Sequence, residues 1–279
     1  MTNGVLLFAH NNSQMDYIKQ ALYCAKRVKQ HLSVPVCLVT DSIDYLKKTY
    51  PNYTDYIDSV KSVPKQNTTQ QKKFRDGLYS ERMLPWKNNT RSSAYELSPF
   101  ENTLVLDTDF LLSNNLLGNV FTSTEEFLIS KEILDLKADR NNKYLKKLND
   151  KSIDMYWATV FFFKKTELTK MFFELLQHIQ ENYDFYRLKY KIVETKYRND
   201  FAFSIAIHIM SGFENSDWPN PIPGNLWTTF DKDILVDIKD NKMHFLLEHK
   251  SDYIGATVKN ANVHVMNKFS LNRIIDEQF

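Results

Sequence analysis

Asp107 and Asp109 flank Thr108 immediately after the apolar run at residues 103–106 (TLVL). Two carboxylates so spaced can grip one hard divalent cation, directly or with one acting through water, while the ion bridges to phosphate oxygens. In that role the ion neutralises charge that develops on a departing diphosphate. An Asp-x-Asp triplet is also common in solvated turns. What favours the chemical reading is position, because ligands of open α/β sheets bind at the carboxyl ends of buried strands.

Further residues could serve the same chemistry. A neutral imidazole is a good manganese ligand, so His264, in the segment NVHVMNK, could fix the ion beside the carboxylates; alternatively it hydrogen-bonds a neighbouring backbone group on a strand. Asn199 and Asp200 open an apolar helix, where Asp is an ordinary helix cap. Residues 186–198 interleave Arg187, Lys189, Lys191, Lys196 and Arg198 with Tyr186, Tyr190 and Tyr197. That pattern suits phosphate contacts and base stacking, or a solvated lysine-rich helix.

The elements that must position these residues follow from periodicity. Residues 4–9 (GVLLFA) read as a buried strand ending in polar His10 to Asn12, with Ser13 as a possible cap of the next helix. Met15, Ile18, Leu22, Ala25 and Val28 recur at helical steps, predicting a helix over 14–32. Residues 34–39 (VPVCLV) predict a second strand ending at Thr40 and Asp41, and a strand, helix, strand order favours a parallel pair. A short helix near Tyr45, a strand over 57–63 and a polar loop over 66–71 come next. One or two helices broken by Pro85 are expected between Phe74 and Pro99. Beyond the acidic pair, strands are expected over 126–130 and 156–163, an exposed loop or helix over 135–150, and helices over 166–183 and from Asn199 or Asp200 to Met210. The tail reads as short strands at 234–238, 244–247 and 263–266, separated by turns.

The segments LLFAHNN, the second strand ending in Asp41, RSSAYELSPFENTLVLDTD and NVHVMNK together resemble the nucleotide-sugar glycosyltransferases of the GT-A fold, especially the glycogenin and lipopolysaccharide galactosyltransferase group. The resemblance spans most of the chain. It implies a Rossmann-like three-layer α/β/α architecture with a mixed, mostly parallel sheet, and transfer of a sugar from a nucleoside diphosphate sugar, a uridine one above all, to a hydroxyl acceptor. It implies Mn²⁺ or Mg²⁺ held by Asp107, Asp109 and His264. The family's late motif is His-x-x-Gly-x-x-Lys, whose Lys meets the diphosphate; here Lys268 follows His264 by four and the Gly is missing. Donor contacts are implied for Ala9, His10, Asn11 and Asp41 around the base and ribose, for Arg75 and Arg91 at the diphosphate or sugar, and for Thr108. Asp200 is implied as the base toward the acceptor, or as the group that orients the sugar, with Trp157, Thr159 and Asn199 on the acceptor side. LLFAHNN, YWATVFFFKK and RNDFAFSIAIHIM also resemble proteins of large tailed phages, which implies hydroxymethylated cytosine in DNA as an acceptor and the host cytoplasm as the compartment.

Composition bounds these readings. A chain of 279 residues, 43% hydrophobic and 14% aromatic, has ample material for a core, and one domain over 1–279 is expected. Cys24 and Cys37 are the two cysteines and suit buried apolar positions rather than a disulfide framework. The start lacks the pattern of a signal peptide and no run reaches the roughly 18 to 20 apolar residues of a bilayer span, so a cytoplasmic protein without membrane contact is expected. A net charge of +2 does not mark a strongly basic nucleic-acid binder. The rival reading is a haloacid dehalogenase-type phosphatase, which places Asp-x-Asp after a buried strand and uses the first Asp as nucleophile; that family wants Thr or Val where Leu111 stands and puts the motif near the chain start. An inactive binding module of the same fold is the non-enzymatic alternative.

Overall fold

The computed structural model describes residues 2–12, 14–65, 68, 70–87, 89–140, 146–149, 152–214 and 217–279. Strands β1 (Asn3–Ala9), β2 (Val36–Thr40) and β3 (Ser59–Ser62) are separated by helices α1 (Tyr17–His31) and α2 (Ile43–Thr49). A hairpin of β4 (Gln71–Asp76) and β5 (Ser80–Pro85) follows, then helix α3 (Ala94–Leu97) and strands β6 (Asn102–Leu106), β7 (Phe110–Leu111), β8 (Phe127–Ser130), β9 (Leu134–Asp135) and β10 (Trp157–Lys164). Helices α4 (Glu167–Glu181), α5 (Tyr183–Lys189) and α6 (Asn199–Met210) precede β11 (Trp227–Thr228) and a meander of β12 (Ile234–Lys239), β13 (Lys242–His249) and β14 (Asp252–Lys259). Strand β15 (Val263–His264) and helix α7 (Lys268–Gln278) end the chain.

The central sheet has the order β3-β2-β1-β6-β10-β8, and β10 alone runs opposite to the other five strands. Every residue of β2 and β6 is buried, as is every residue of β10 up to Lys164. Burial residue after residue, rather than in alternation, requires cover on both faces of the sheet. The expected mixed α/β class with a mostly parallel sheet is therefore observed. A small second sheet, β7-β15-β11-β9, continues from the end of β6.

Helix α1 starts where Asp16 accepts the Lys19 amide, later than the expected residue 14; Ser13 lies outside the described residues. Thr166 caps α4 through a reciprocal box with Thr169. Phe127, Phe161, Phe172, Phe173 and Phe203 then interlock, with ring centroids of 4.5 Å for Phe127 and Phe172 and 4.9 Å for Phe161 and Phe203. These aromatic contacts clamp α4 and α6 onto β10, and so fix where Asn199 and Asp200 emerge.

Two expectations fail and a third holds only in part. The helices expected after Phe74 are the β4–β5 hairpin, whose turn needs the positive φ of 77° at Gly77; among the described residues only a 3-10 turn at Arg91–Ser93 and the short α3 are helical. The tail ends in helix α7, not in turns: Asn267 caps it by accepting the Ser270 amide, and Leu271, Ile274 and Ile275 bury one face. The exposed loop or helix expected over 135–150 is a loop over 136–140, exposed at Ala138 and Asp139 as at Lys146 and Lys147, but it is anchored at both ends of that turn; 141–145 and 150 lie outside the described residues. Asp135 ends β9 fully inside, and Arg140 donates to both oxygens of buried Asp233 at 2.9 and 2.5 Å while its Nε lies 3.6 Å from Asp135. That charged knot ties the segment after β9 to the start of β12. Among the described residues no helix is long and apolar enough to cross a membrane. Cys24 and Cys37 are both free and buried, as expected.

Candidate active site

Asp107 and Asp109 stand just past the carboxyl end of β6, in a tight turn closed by the Phe110 amide donating to the Asp107 carbonyl at 3.0 Å. The small second sheet brings His264 to them: β15 pairs antiparallel with β7 so that His264 lies opposite Phe110, and the Val265 amide donates to the Asp109 carbonyl at 2.9 Å. His264 Nε2 is then 3.2 Å from Asp109 Oδ2 and 3.9 Å from Asp107 Oδ2. One ligand atom from each of the three lies within 4.8 Å of the others, a group that could hold a metal ion. Two hard carboxylate oxygens with one imidazole nitrogen suit Mn²⁺ or Mg²⁺ and not a thiolate-seeking ion.

Two cations close on this acidic pair. Lys268, the first residue of α7, pairs with Asp109, and Arg91 pairs with Asp107. A cation at a helix start opposes the helix dipole, so the Lys268 contact is made against local preference. Burial alone would push the Asp109 carboxyl up; Lys268 and His264 outweigh it and hold the group well below the ordinary carboxylate range. Tyr17 packs nearby, its hydroxyl pushed far up by burial and then by Asp109 and Asp107.

A β-bulge organises the opposite wall. The register of β10 against β8 slips between Trp157 and Phe161, which releases the backbone at Ala158 and Thr159. The Ala158 carbonyl accepts from Arg91 at 2.9 Å, the Ala158 amide donates to Asp200 at 3.1 Å, and the Thr159 carbonyl accepts the Asp107 amide at 2.9 Å. Asp200 is not a helix cap. The cap position of α6 is Arg198, which makes no side-chain cap bond; Asp200 accepts instead from Arg198 at 2.9 Å and from β10.

The third wall joins the end of β1 to the hairpin. His10 Nε2 meets Thr90 at 2.8 Å, and Lys87 bridges Asp41 at 2.8 Å and the Asn11 carbonyl at 3.0 Å. Burial would raise the Asp41 carboxyl, but His10, Lys87 and Ser42 together hold it well below its usual range. Above them the hairpin carries Lys72, whose ammonium lies 5.1 Å from the Trp86 ring and 5.7 Å from the Phe74 ring.

One cleft gathers His10, Arg91, Asp107, Thr108, Asp109, Trp157, Thr159, Asn199, Asp200, His264 and Lys268. Four other candidates stay off its lining. Ala9 is buried within β1; Asn11 spends its side chain on Asp16 and the Ile18 amide at the start of α1; the Asp41 side chain is buried behind Lys87; and Arg75 faces Glu81 across the hairpin at 3.3 Å. Each is held by local structure near the site rather than by the cleft. Sequence reasoning missed Lys72, Phe74, Trp86 and Lys87, and named Arg198 only as part of the basic stretch; all five line the cleft. Two extended segments about a Gly-containing turn were the signal for the hairpin that carries the first two. The tyrosines of the basic stretch are not available for base stacking: Tyr186, Tyr190 and Tyr197 are buried, and Arg187 pairs with Asp184.

No protein-family model and no curated protein matches the chain by sequence. Among solved structures it is similar to the glycosyltransferase GlyE of Streptococcus pneumoniae TIGR4, with 10% identity over 75% of this chain and 43% of that one and a TM-score of 0.42. It is similar to the galactosyltransferase LgtC in complex with donor and acceptor sugar analogues, with 14% identity over 73% of this chain and 69% of that one and a TM-score of 0.44. A mannosyltransferase of Pyrobaculum calidifontis, in complex with GDP-Man and Mn²⁺, gives 11% identity over 61% and 46% of the two chains and a TM-score of 0.35. The chain thus spans less than half the length of GlyE and of the mannosyltransferase.

Proposed function

We propose that the chain is a metal-dependent glycosyltransferase of the GT-A type that moves a sugar from a nucleoside diphosphate sugar, a uridine one first, to a hydroxyl acceptor. The observation that carries this reading is the convergence of Asp107, Asp109 and His264, from β6 and β15, on one point of a cleft that Asp200 also lines. Mn²⁺ or Mg²⁺ held by those three residues would supply charge neutralisation to the departing diphosphate. Lys268 and Arg91 stand beside the same point; a lysine point charge and a planar guanidinium fork both suit phosphate oxygens. His10, Thr108, Trp157, Thr159 and Asn199 line the cleft; in this reading the first two serve the donor and the last three the acceptor.

Asp200 has two contacts, the Ala158 amide and Arg198, that hold its carboxylate in one orientation at the cleft wall. In this reading it accepts the acceptor's hydroxyl proton or orients the transferred sugar. Asp200→Ala is expected to lower turnover by about 100-fold or more while the donor dissociation constant moves by less than about three-fold. Steady-state kinetics and calorimetry on the same preparation separate the two quantities. A fall in melting temperature with turnover unchanged would leave Asp200 only the task of tying α6 to β10.

The screen that tests the whole reading offers nucleotide sugars with and without Mn²⁺ and follows donor hydrolysis, then weighs candidate acceptors, hydroxymethylcytosine DNA among them, for an added sugar. Donor consumption is expected only with the ion and is expected to stop on chelation. Release of inorganic phosphate from small phosphate esters, without use of any sugar nucleotide, would favour the phosphatase reading instead.

A further inference from the structure

Among the described residues, five lysine and arginine side chains line the cleft, and four of them are matched one to one by carboxylates: Lys268 with Asp109, Arg91 with Asp107, Arg198 with Asp200, and Lys87 with Asp41. Lys72 is the fifth. Among the described residues its side chain makes neither a hydrogen bond nor an ion pair, and its ammonium lies over the rings of Trp86 and Phe74. Asp231 feels its charge but is nearer in effect to Arg75, and it does not line the cleft. Burial, then the neighbouring charges of Lys268 and Arg198, lower the Lys72 ammonium to about 8. A lysine so destabilised in its charged form sits where the protein supplies too little counter-charge.

Resting on the glycosyltransferase reading, charge balance identifies what is missing. A divalent ion brings two positive charges and the donor diphosphate two negative ones, so the pair leaves the cleft's single surplus positive charge in place. We propose that Lys72 is a specificity-determining residue that binds a further anionic group, a carboxylate or phosphate, carried by the transferred sugar or by the acceptor. The β4–β5 hairpin is what delivers it: Lys72 and Phe74, two residues apart, share one face of β4, and Trp86 follows β5 directly. An incoming anion would find an ammonium already desolvated on its aromatic side, where a charge-assisted hydrogen bond is strongest.

The test measures dissociation constants by calorimetry in Mn²⁺ for UDP, UDP-glucose and UDP-glucuronic acid, and then for glucose and glucose 6-phosphate added to the UDP-saturated protein. Wild-type protein is expected to prefer the charged member of one pair by about 10-fold or more. A preference in the first pair assigns the anion to the donor sugar, and in the second to the acceptor. Lys72→Met, which keeps the aliphatic stem against Trp86, should abolish that preference while UDP itself binds within about two-fold. Lys72→Arg should retain it. The proposal is overturned by equal binding of charged and neutral members in both pairs, by a preference that survives Lys72→Met or is lost in Lys72→Arg, or by a Lys72→Met loss that falls equally on UDP. Failure of wild-type protein to bind UDP or either sugar nucleotide would instead remove the glycosyltransferase reading, and the proposal with it.

Discussion

Replacing Asp109 by Asn is expected to cut donor turnover by about 1000-fold or more, equivalent to about 4 kcal/mol of transition-state stabilisation, and to abolish Mn²⁺ binding in the absence of substrate. The substitution changes charge and not shape. Asp109 is the most enclosed member of the acidic pair, and it alone touches both His264 and Lys268. Losing its charge removes one of two anionic ligands and leaves the Lys268 ammonium beside a neutral amide. Repulsion between that ammonium and an incoming cation would then go uncompensated. Kinetics with saturating Mn²⁺ and a spin-resonance titration of the free ion check both halves of the expectation, with circular dichroism to establish that the fold persists. Turnover within ten-fold of wild type would end the case for a metal held at this point.

Stability should respond most to Arg140. Its guanidinium reaches two carboxylates whose side chains are both fully excluded from solvent, Asp233 in a forked pair and Asp135 alongside. Burial pushes the Asp135 carboxyl upward, against the pull of the Lys137 amide and of Arg140. Arg140→Met would leave two buried carboxylates without their cation, and removing one partner of such a pair costs about 3–5 kcal/mol. Chemical denaturation should report a loss of that size, with a fall in melting temperature of about 10 °C for a chain of this length. Adding Asp233→Asn to Arg140→Met should recover part of the loss, because one of the two surviving charges is then removed. A loss below about 1 kcal/mol would mean that water reaches the knot and already screens it.

The two expectations concern parts of the chain that were legible to different degrees. The acidic pair could be read directly, since an apolar run followed by Asp-Thr-Asp announces a buried strand and its outlet. Arg140 could not: within a charged stretch, nothing local distinguishes a solvated arginine from one that neutralises a carboxylate some ninety positions later. The hairpin was misread for a related reason. Residues 71–85 are polar and half-exposed, so they lack the alternation that a core imposes on a strand, and their pairing is set by Gly77 and by contacts with Tyr253 and Arg273 far along the chain. Helix α7 carried its own apolar spacing, and its signal was overlooked beside that of the short strands before it.

Local periodicity, then, determined the buried strands, the amphipathic helices and the carboxylates that emerge from β6, because burial at fixed spacing is written residue by residue. Only the tertiary structure decided which distant groups meet those carboxylates. His264 reaches them through a two-residue pairing of β15 with β7, and Arg91 beside a slipped register in β10 that also holds Asp200 at the cleft wall, while Lys72 joins the same cleft from the β4–β5 hairpin. Each of these depends on one register among several that the same side chains would allow, and a register is chosen by the packing of the whole molecule.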